Sequence, residues 1–516
     1  MSSYDRQGDH VPLLHEDPHY REEDAAAYDG SSGVVTTESR PASPLTHSPT
    51  LDPFASEEPN VSRTLPETAT FGRNLGWFHV YSLVVSRIIG SGIFATPGSI
   101  YRSVGSVGLS LILWVVGAAI AVCALTVSLE YGCMLPRSGG DKVYLEFTYS
   151  KPKYLASIVF AFYTIFLYSV ASNCIVFGEY LTFALGLPPT KLANRGFALL
   201  LLTSLVVIAR GDGTNDRSSL FEGSIWGWGS MSTAVLKITY AYMGFASAND
   251  VMNEIKNPVR TLKTATTAAL ATVCLMYFFV NMAYFSVVDG EDIRNSGELI
   301  AGLFFERVFG YSVGRRVLSL AVAVSTAGNV MVGLFSQSRL NQEVARQGVI
   351  PFSKFFASSK PFNAPLAALS INFIQAFFII TFTPPADIYA FILDVQSYAQ
   401  QFVALAVVIG LILLRRKQPD LKRPYKAPSA AVVVRIATCV ALLIAPFIRP
   451  AGGKGDVRFW YGTYAVATVL VFFVAGSYWY IWTVYLPTKG RYELVERPEV
   501  LDDGTTVTTL VKESRT

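Results

Sequence analysis

The chain has 516 residues, of which 51% are hydrophobic and 16% charged, and its mean hydropathy is positive at +0.37. A soluble protein of this length carries a far larger polar share, so composition points to a polytopic membrane protein and away from a soluble enzyme or a nucleic-acid-binding protein. The net charge of +4 is small, and the uneven placement of the basic residues says more than their sum. Five cysteines, Cys123, Cys133, Cys174, Cys274 and Cys439, lie in or beside apolar runs with no C-x-x-C pair and no Cys/His cluster. They read as buried packing thiols, and no metal or other cofactor is expected.

Residues 1–73 are rich in Asp, Glu, Ser, Thr and Pro, poor in large aliphatics and free of lysine. Such a segment buries too little surface to fold, so it is expected to be a disordered acidic tail. An acidic polar stretch stands where the basic and apolar regions of a cleavable signal peptide would be. Ser43 and Ser48 each precede a proline and suit proline-directed kinases. Asn60-Val61-Ser62 matches a glycosylation sequon that a cytosolic tail would leave unused.

Apolar segments then follow at 77–101, 108–134, 154–186, a short 196–209, 229–253, 262–287, 314–338, 364–383, 387–414, 431–448 and 459–485. Most are long enough to cross ~30 Å of hydrocarbon at 1.5 Å per residue. Basic residues cluster in four loops, after the second segment (Arg137, Lys142, Lys151, Lys153), after 229–253 (Lys256, Arg260, Lys263), after 314–338 (Arg339, Arg346, Lys354, Lys360) and after 387–414 (Arg415 to Lys426). The positive-inside rule puts all four, and both tails, in the cytoplasm. Parity then fails. Between Arg137 and Lys256 an even number of crossings is required, yet three apolar segments lie there. The segment 196–209 spans only ~21 Å as a helix and runs at once into the hydrophilic Arg210–Arg217, so one crossing is missing or one segment does not cross.

Within the first segment, Val84–Pro97 reads V-V-S-R-I-I-G-S-G-I-F-A-T-P, which sets Gly90, Ser91 and Gly92 side by side at membrane depth. A helix that breaks there frees backbone groups, which is tolerated only against protein or a cavity. The half-helix that follows would aim its amides and positive dipole end at an anionic group. The alternative is a Gly-kinked helix packed closely on a neighbour. A second mid-membrane glycine, Gly244, interrupts Ile238–Asp250 among aromatics. Two Gly-interrupted spans predict a transporter site between opposed broken helices, in which carbonyls near Tyr240, Ala241 and Met243 take an ammonium and amides from Ser91 to Ile93 a carboxylate. Together they fit a zwitterion. Glu130, Asn173, Glu179 and Asp394 also fall inside apolar segments, as do Ser325, Thr326 and Asn329 on one side of 314–338. Charge at depth is costly, so such residues are functional candidates, with a structural ion pair the open alternative for Glu130 and Glu179.

At these breaks the chain resembles the amino acid–polyamine–organocation superfamily and, within it, the L-type amino acid transporters, over residues 74–485. Gly90-Ser-Gly-Ile-Phe94, the run from Glu130 through Pro136, Ser138 and Gly140 to Tyr144, the run Glu254-x-Lys256-Asn-Pro258-x-Arg-Thr261, and Arg423-Pro-Tyr-Lys-x-Pro428 are similar to four family motifs in the family's order. Tyr144–Phe147, Phe177–Tyr180, Ser336–Glu343 and Pro361–Pro365 resemble the fungal branch that holds the high-affinity methionine permeases. The resemblance implies an all-α leucine-transporter-type inverted-repeat bundle over 74–486, with two extra C-terminal helices and a cytoplasmic tail at 487–516. It also implies alternating access around a substrate site of Ile88, Gly90, Ser91, Gly92, Ile93, Tyr240, Ala241, Tyr242, Met243 and Gly244. In that site Ser91, Gly92 and Ile93 take the carboxylate, the carbonyls of Ile88, Tyr240 and Met243 take the amine, and Tyr240 is the gate. Asn173, Ser325, Thr326 and Asn329 are the further gate or coupling candidates. One departure stands out: the family carries a fifth helix, usually with a lysine, where this chain passes directly from Ala209 to Asp212.

The expected function is import of a neutral, methionine-like L-amino acid, driven by protons in the fungal branch, at the plasma membrane. The alternative is a transport-inactive relative lacking helix 5, either a nutrient sensor or a truncated splice or gene-model variant. Partners are the amino acid, membrane lipid and, by resemblance, ubiquitin-ligase adaptors on the tails, for which Lys489 and Lys512 stand in for the missing N-terminal lysines. No nucleophile elbow or phosphate loop supports an enzyme.

Overall fold

The computed structural model describes residues 73–187, 227–359, 365–382, 388–448, 460, 462–501 and 506–514, all within the unit Pro59–Thr516. The first apolar segment is two helices, α1 Trp77–Ile88 and α2 Ser91–Val104, parted where Gly90 leaves the helical region at φ −146° and ψ −147°. A long unbroken helix, α3 Val107–Met134, follows, capped by the Ser106 hydroxyl, which accepts from the Leu109 amide at 3.3 Å. Short α4 Asp141–Thr148 leads to α5 Leu155–Phe162, which widens through Leu167 before α6 Ala171–Ala184. Then come α7 Trp228–Ala241, a tight helical turn Ser247–Glu254, and α8 Pro258–Val287. The chain continues with α9 Gly290–Asn295, α10 Ile300–Gly310, α11 Ser319–Ala345, α12 Leu366–Phe382, α13 Ile388–Lys417, α14 Ser429–Ile444 and α15 Thr463–Trp479. Among the described residues, eight helical stretches are long and apolar enough to cross a membrane. Large apolar side chains face outward on them, Phe473 at 70% and Leu275 at 62% exposure among others, a surface that only lipid can cover without cost. The protein is an all-α polytopic membrane protein.

Three details differ from the sequence reading. The segment 154–186 is interrupted at Tyr168–Val170 with no Gly or Pro to announce it. The segment 314–338 is a longer α11 joined to α10 through a wide turn at Tyr311–Leu318. Past the short helix Leu486–Gly490, β1 Tyr492–Val500 and β2 Thr506–Ser514 pair antiparallel from Tyr492↔Ser514 to Val500↔Thr506. Alternation of Val507 and Thr508 with β-branched neighbours was the available sign of it. The hairpin braces two basic loops. Thr508 donates its amide to the Arg346 carbonyl at 2.7 Å, Lys354 meets Glu499 at 2.7 Å and Lys153 meets Glu496 at 2.9 Å. Gly348, at φ +72°, has room for no Cβ against the Thr508 carbonyl. The short segment 196–209, the stretch from Ala209 to Asp212 where a fifth helix was expected to be missing, and the tail before Arg73 lie outside the described residues.

Small residues set how closely the broken helices approach. A Cβ on Gly92 would stand 2.7 Å from the Ala241 Cα, and one on Gly117 would overlap the Ile238 side chain, so α2 and α3 both lie directly on α7. Behind them, the Trp114 ring meets Tyr242 and Tyr277 edge-on at 5.9 and 5.5 Å.

The motif residues meet at the basic-loop end. The Leu75 amide donates to Glu254 and its carbonyl accepts from Lys256, tying the start of α1 to the end of the Ser247–Glu254 turn. Ser138 and Asn253 exchange bonds, Ser138 amide to Asn253 Oδ1 at 2.6 Å and Asn253 amide to Ser138 Oγ at 2.9 Å. Glu130, fully buried, accepts from both Nε (3.0 Å) and Nη2 of Arg415, lies 3.6 Å from Arg423 Nε and takes the Ala427 amide at 2.7 Å. Its role is the structural ion pair. Removing a buried carboxylate leaves an arginine pair uncompensated, which costs about 3–5 kcal/mol. Glu130→Ala should therefore lower the melting temperature of the detergent-purified protein markedly. Arg497→Ala, in the exposed Arg497–Glu513 pair of the hairpin, should barely move it.

Candidate functional site

The two breaks face each other across one polar cavity. It is lined on one side by Arg87, Ile88, Gly90, Ser91 and Gly92, on the other by Tyr240, Ala241 and Met243, and closed by Tyr168, Ser169, Asn173, Asn329 and Gln396. The α7 helix ends at Ala241, and the chain turns through Gly244 at φ +110°, where a Cβ would stand 3.0 Å from the Arg87 carbonyl. This is why glycine is required there: the second break is seated on the first.

Each broken end has a resident partner. On the carbonyl end of α1, Asn329 Nδ2 donates to Arg87 at 2.7 Å and Ser86 at 2.8 Å, with Ile89 further off at 3.4 Å. The Tyr277 hydroxyl reaches the Ile88 carbonyl at 2.8 Å and the Ala241 carbonyl at 3.0 Å, so one group on α8 spans both breaks. On the amide end of α2, Ser91 donates its N–H to Asn173 Oδ1 at 2.9 Å. The Gly92 and Ile93 amides follow in the same first turn, where no preceding carbonyl is in register to take them. The Tyr240 hydroxyl lies 2.6 Å from Ser172 Oγ and 3.2 Å from Ser91 Oγ, bridging α7, α6 and α2.

The sequence-derived candidates divide. Ile88, Gly90, Ser91, Gly92, Tyr240, Ala241, Met243, Asn173 and Asn329 line this cavity. Ile93 turns its side chain into the packed core, so only its backbone serves the break. Tyr242 and Gly244 line a second, larger cavity. Ser325 and Thr326 line neither, and the Thr326 hydroxyl donates back to Ala323 of its own helix. Of the three polar residues read on that helix, only Asn329 reaches the break.

Sequence reasoning passed over Arg87, Tyr168, Ser169, Ser172, Tyr277 and Gln396. Arg87 stood in the quoted run, and an arginine at membrane depth was a usable signal. Tyr168 and Ser169 sit at the unannounced third break, where Gln337 and Gln396 donate to their carbonyls, each at 2.6 Å. The buried glutamines were the only hint.

Tyr168 and Met243 are shared with the larger cavity, which extends to the basic-loop end and is lined there by Gly140, Asp141, Asp250, Gln400 and Arg435. Burial pushes the Asp141 carboxyl up to about 6, with Arg435 and Gln400 opposing that rise. Among the described residues, no three His, Cys, Asp or Glu side chains gather to hold a metal.

The profile of the Amino acid permease family matches residues 75–211 and 196–475, the two pieces meeting at the short apolar segment. The chain is 33% identical over 478 residues to the high-affinity methionine permease of Saccharomyces cerevisiae, covering 84% of this chain and 83% of that one. It is 30% identical to the low-affinity methionine permease of the same yeast, over 86% and 90% of the two chains. It is 29% identical to the b(0,+)-type amino acid transporter 1 of Rattus norvegicus, over 76% and 86%. The first alignment is longer than 84% of 516 residues, so that relative carries residues in the aligned span for which this chain has no counterpart. On this evidence the chain belongs to the amino acid permease family of membrane transporters.

Proposed function

We propose that the chain is a secondary transporter that carries a neutral, methionine-like L-amino acid by alternating access between α1/α2 and α7. The observation that carries this reading is that two helix breaks face one polar cavity, offering amides on one side and carbonyls on the other, the complement of a zwitterion. The substrate carboxylate is read onto the Ser91–Ile93 amides and the amine onto the carbonyls near Ile88, Tyr240 and Met243. The names of the yeast relatives favour methionine. With the basic-loop end in the cytoplasm, the larger cavity beyond Tyr168 and Met243 makes this an inward-facing form, with the Tyr240–Ser91–Ser172 cluster closing the other side. Protons suit this site better than sodium as the driving ion, because the α1 carbonyls that would ligate a metal already accept from Asn329 and Tyr277. The inverted-repeat bundle and the plasma-membrane location belong to the same proposal, as do ubiquitin-ligase adaptors reaching the exposed Lys489 and Lys512.

A second reading, a transport-inactive relative, is favoured by one observation: the aligned permease has residues this chain lacks. Uptake of radiolabelled methionine by permease-deficient yeast expressing the chain, with and without a proton gradient, separates the two. Gradient-dependent accumulation is expected. Its absence, with protein confirmed at the cell surface, establishes the inactive form.

Two substitutions test the site. Gly92→Ala places a methyl against the Ala241 backbone and forces α2 from α7, so uptake should fall at least tenfold, together with some loss of thermal stability. Tyr240→Phe keeps the ring and removes two hydrogen bonds, each worth about 1 kcal/mol. Its transport rate should fall several-fold while its melting temperature moves little, and an unchanged rate would remove Tyr240 from the gate.

A further inference from the structure

Arg87 is the penultimate residue of α1 and is one of the residues that line the cavity. Its hydrogen-bond partners are neutral: Nη1 donates to Asn329 Oδ1 at 3.2 Å and Nη2 to the Tyr168 hydroxyl at 2.7 Å, with the head 5.8 Å from the Tyr168 ring centre. Nε is buried and unbonded, and no carboxylate among the described residues comes within ion-pair distance of it. Several other arginines of the bundle have an acid: Arg415 has Glu130, Arg339 has Glu254 and Arg346 has Glu343. A permanent cation at membrane depth without a counter-ion is costly, and the α1 carbonyl end beside it supplies only part of the compensation.

The acceptors now on the cationic groups have a telling arrangement. Asn173 Oδ1 takes the Ser91 amide and Asn329 Oδ1 takes Arg87. Both asparagine heads crowd the same point: a Cβ on Gly90 would be 2.8 Å from Asn173 Oδ1 and 2.6 Å from Asn329 Cγ. At the break, then, one asparagine oxygen occupies a helix-end donor and another a guanidinium donor.

We propose that Arg87 is a substrate-binding residue, and that the carboxylate of the transported amino acid displaces these amide oxygens to lie between the guanidinium and the first-turn amides of α2. The proposal rests on the amino acid reading of the cavity and adds the group that recognises charge. Amides alone bind any hydrogen-bond acceptor, whereas a guanidinium favours an anion and, through its planar fork, a carboxylate. An analogue that lacks the negative charge leaves the buried cation unpaired.

The test uses the purified full-length protein, with binding of L-methionine and of L-methioninamide read from concentration-dependent thermal stabilisation. In the wild type, methionine should bind far more tightly than the amide. In Arg87→Gln, methionine affinity should fall about ten- to a hundredfold, the range of a hydrogen bond to a charged group, while methioninamide affinity stays within about twofold, so the preference collapses. A merely structural arginine would weaken both ligands alike, and a preference retained in Arg87→Gln overturns the proposal. Should that variant fail to fold, Arg87→Lys decides: loss of the fork should cut the preference several-fold, and an undiminished preference overturns it. Stabilisation of the wild type by neither compound would overturn the amino acid reading and this proposal together, whereas binding with an intact preference in the variants overturns this proposal alone.

Discussion

Backbone polar groups have no water to bond in a bilayer, and the structure is arranged around two places where the helical ladder is given up all the same. At Ile89–Gly90 and at Tyr242–Ala246 carbonyls and amides are released at membrane depth, where each unsatisfied group costs several kcal/mol. The surrounding elements supply the partners: α6 gives Asn173 to the amide end, α11 gives Asn329 to the carbonyl end, and α8 gives Tyr277 to both breaks. Among the described residues, helix α3 contributes no hydrogen bond to the breaks. It contributes a flat, Gly-bearing surface and the Trp114 ring against which the broken elements are held in register.

What could be read from sequence follows from which of these features leave a local mark. The breaks were legible because glycine is poorly suited to a helix interior and three weak helix formers stood together. Three of the four family motifs were legible because they fasten the basic-loop end, the first being the break itself: Ser138 to Asn253, Leu75 to Glu254 and Lys256, and Glu130 to Arg415 and Arg423. Partners that satisfy the breaks left weaker marks. Tyr277 looks like any membrane aromatic, and Ser172 like any small helix residue, until the fold puts their hydroxyls at a carbonyl or another hydroxyl. The third break, at Tyr168–Val170, carries no punctuation at all, since two glutamines on distant helices hold it open. Ser325 and Thr326 show the opposite failure: the spacing placed them with Asn329, but one helical position of rotation is enough to turn a hydroxyl back onto its own backbone.

Placement of resident donors also bears on which ion does work. A metal held at the α1 carbonyls would need those oxygens free and a local negative potential. Here the oxygens accept from an amide and a phenol, and a guanidinium stands beside them. That guanidinium adds a fixed charge that does not titrate in the physiological range. Under the transport proposal the ion that varies must act elsewhere. The larger cavity toward the basic loops is lined by Asp141 and Asp250, and burial lifts the Asp141 carboxyl to about 6.

A fixed cation and fixed amides on one side, with carbonyls on the other, define a seat only while α2 and α7 are in contact through Gly92 and Ala241. The asparagine and tyrosine side chains that fill that seat are neutral, so they satisfy hydrogen-bonding capacity without cancelling charge. Under the transport proposal, that leaves a share of binding energy for a ligand that brings both charges: a carboxylate would gain at Arg87 what Asn329 cannot supply, and an ammonium would gain at the helix carbonyl ends what Tyr277 cannot. Because both gains depend on the two breaks remaining opposed, a zwitterion binds the closed arrangement better than any in which the helices have parted. That differential affinity is the physical requirement for a substrate to shift a carrier between states.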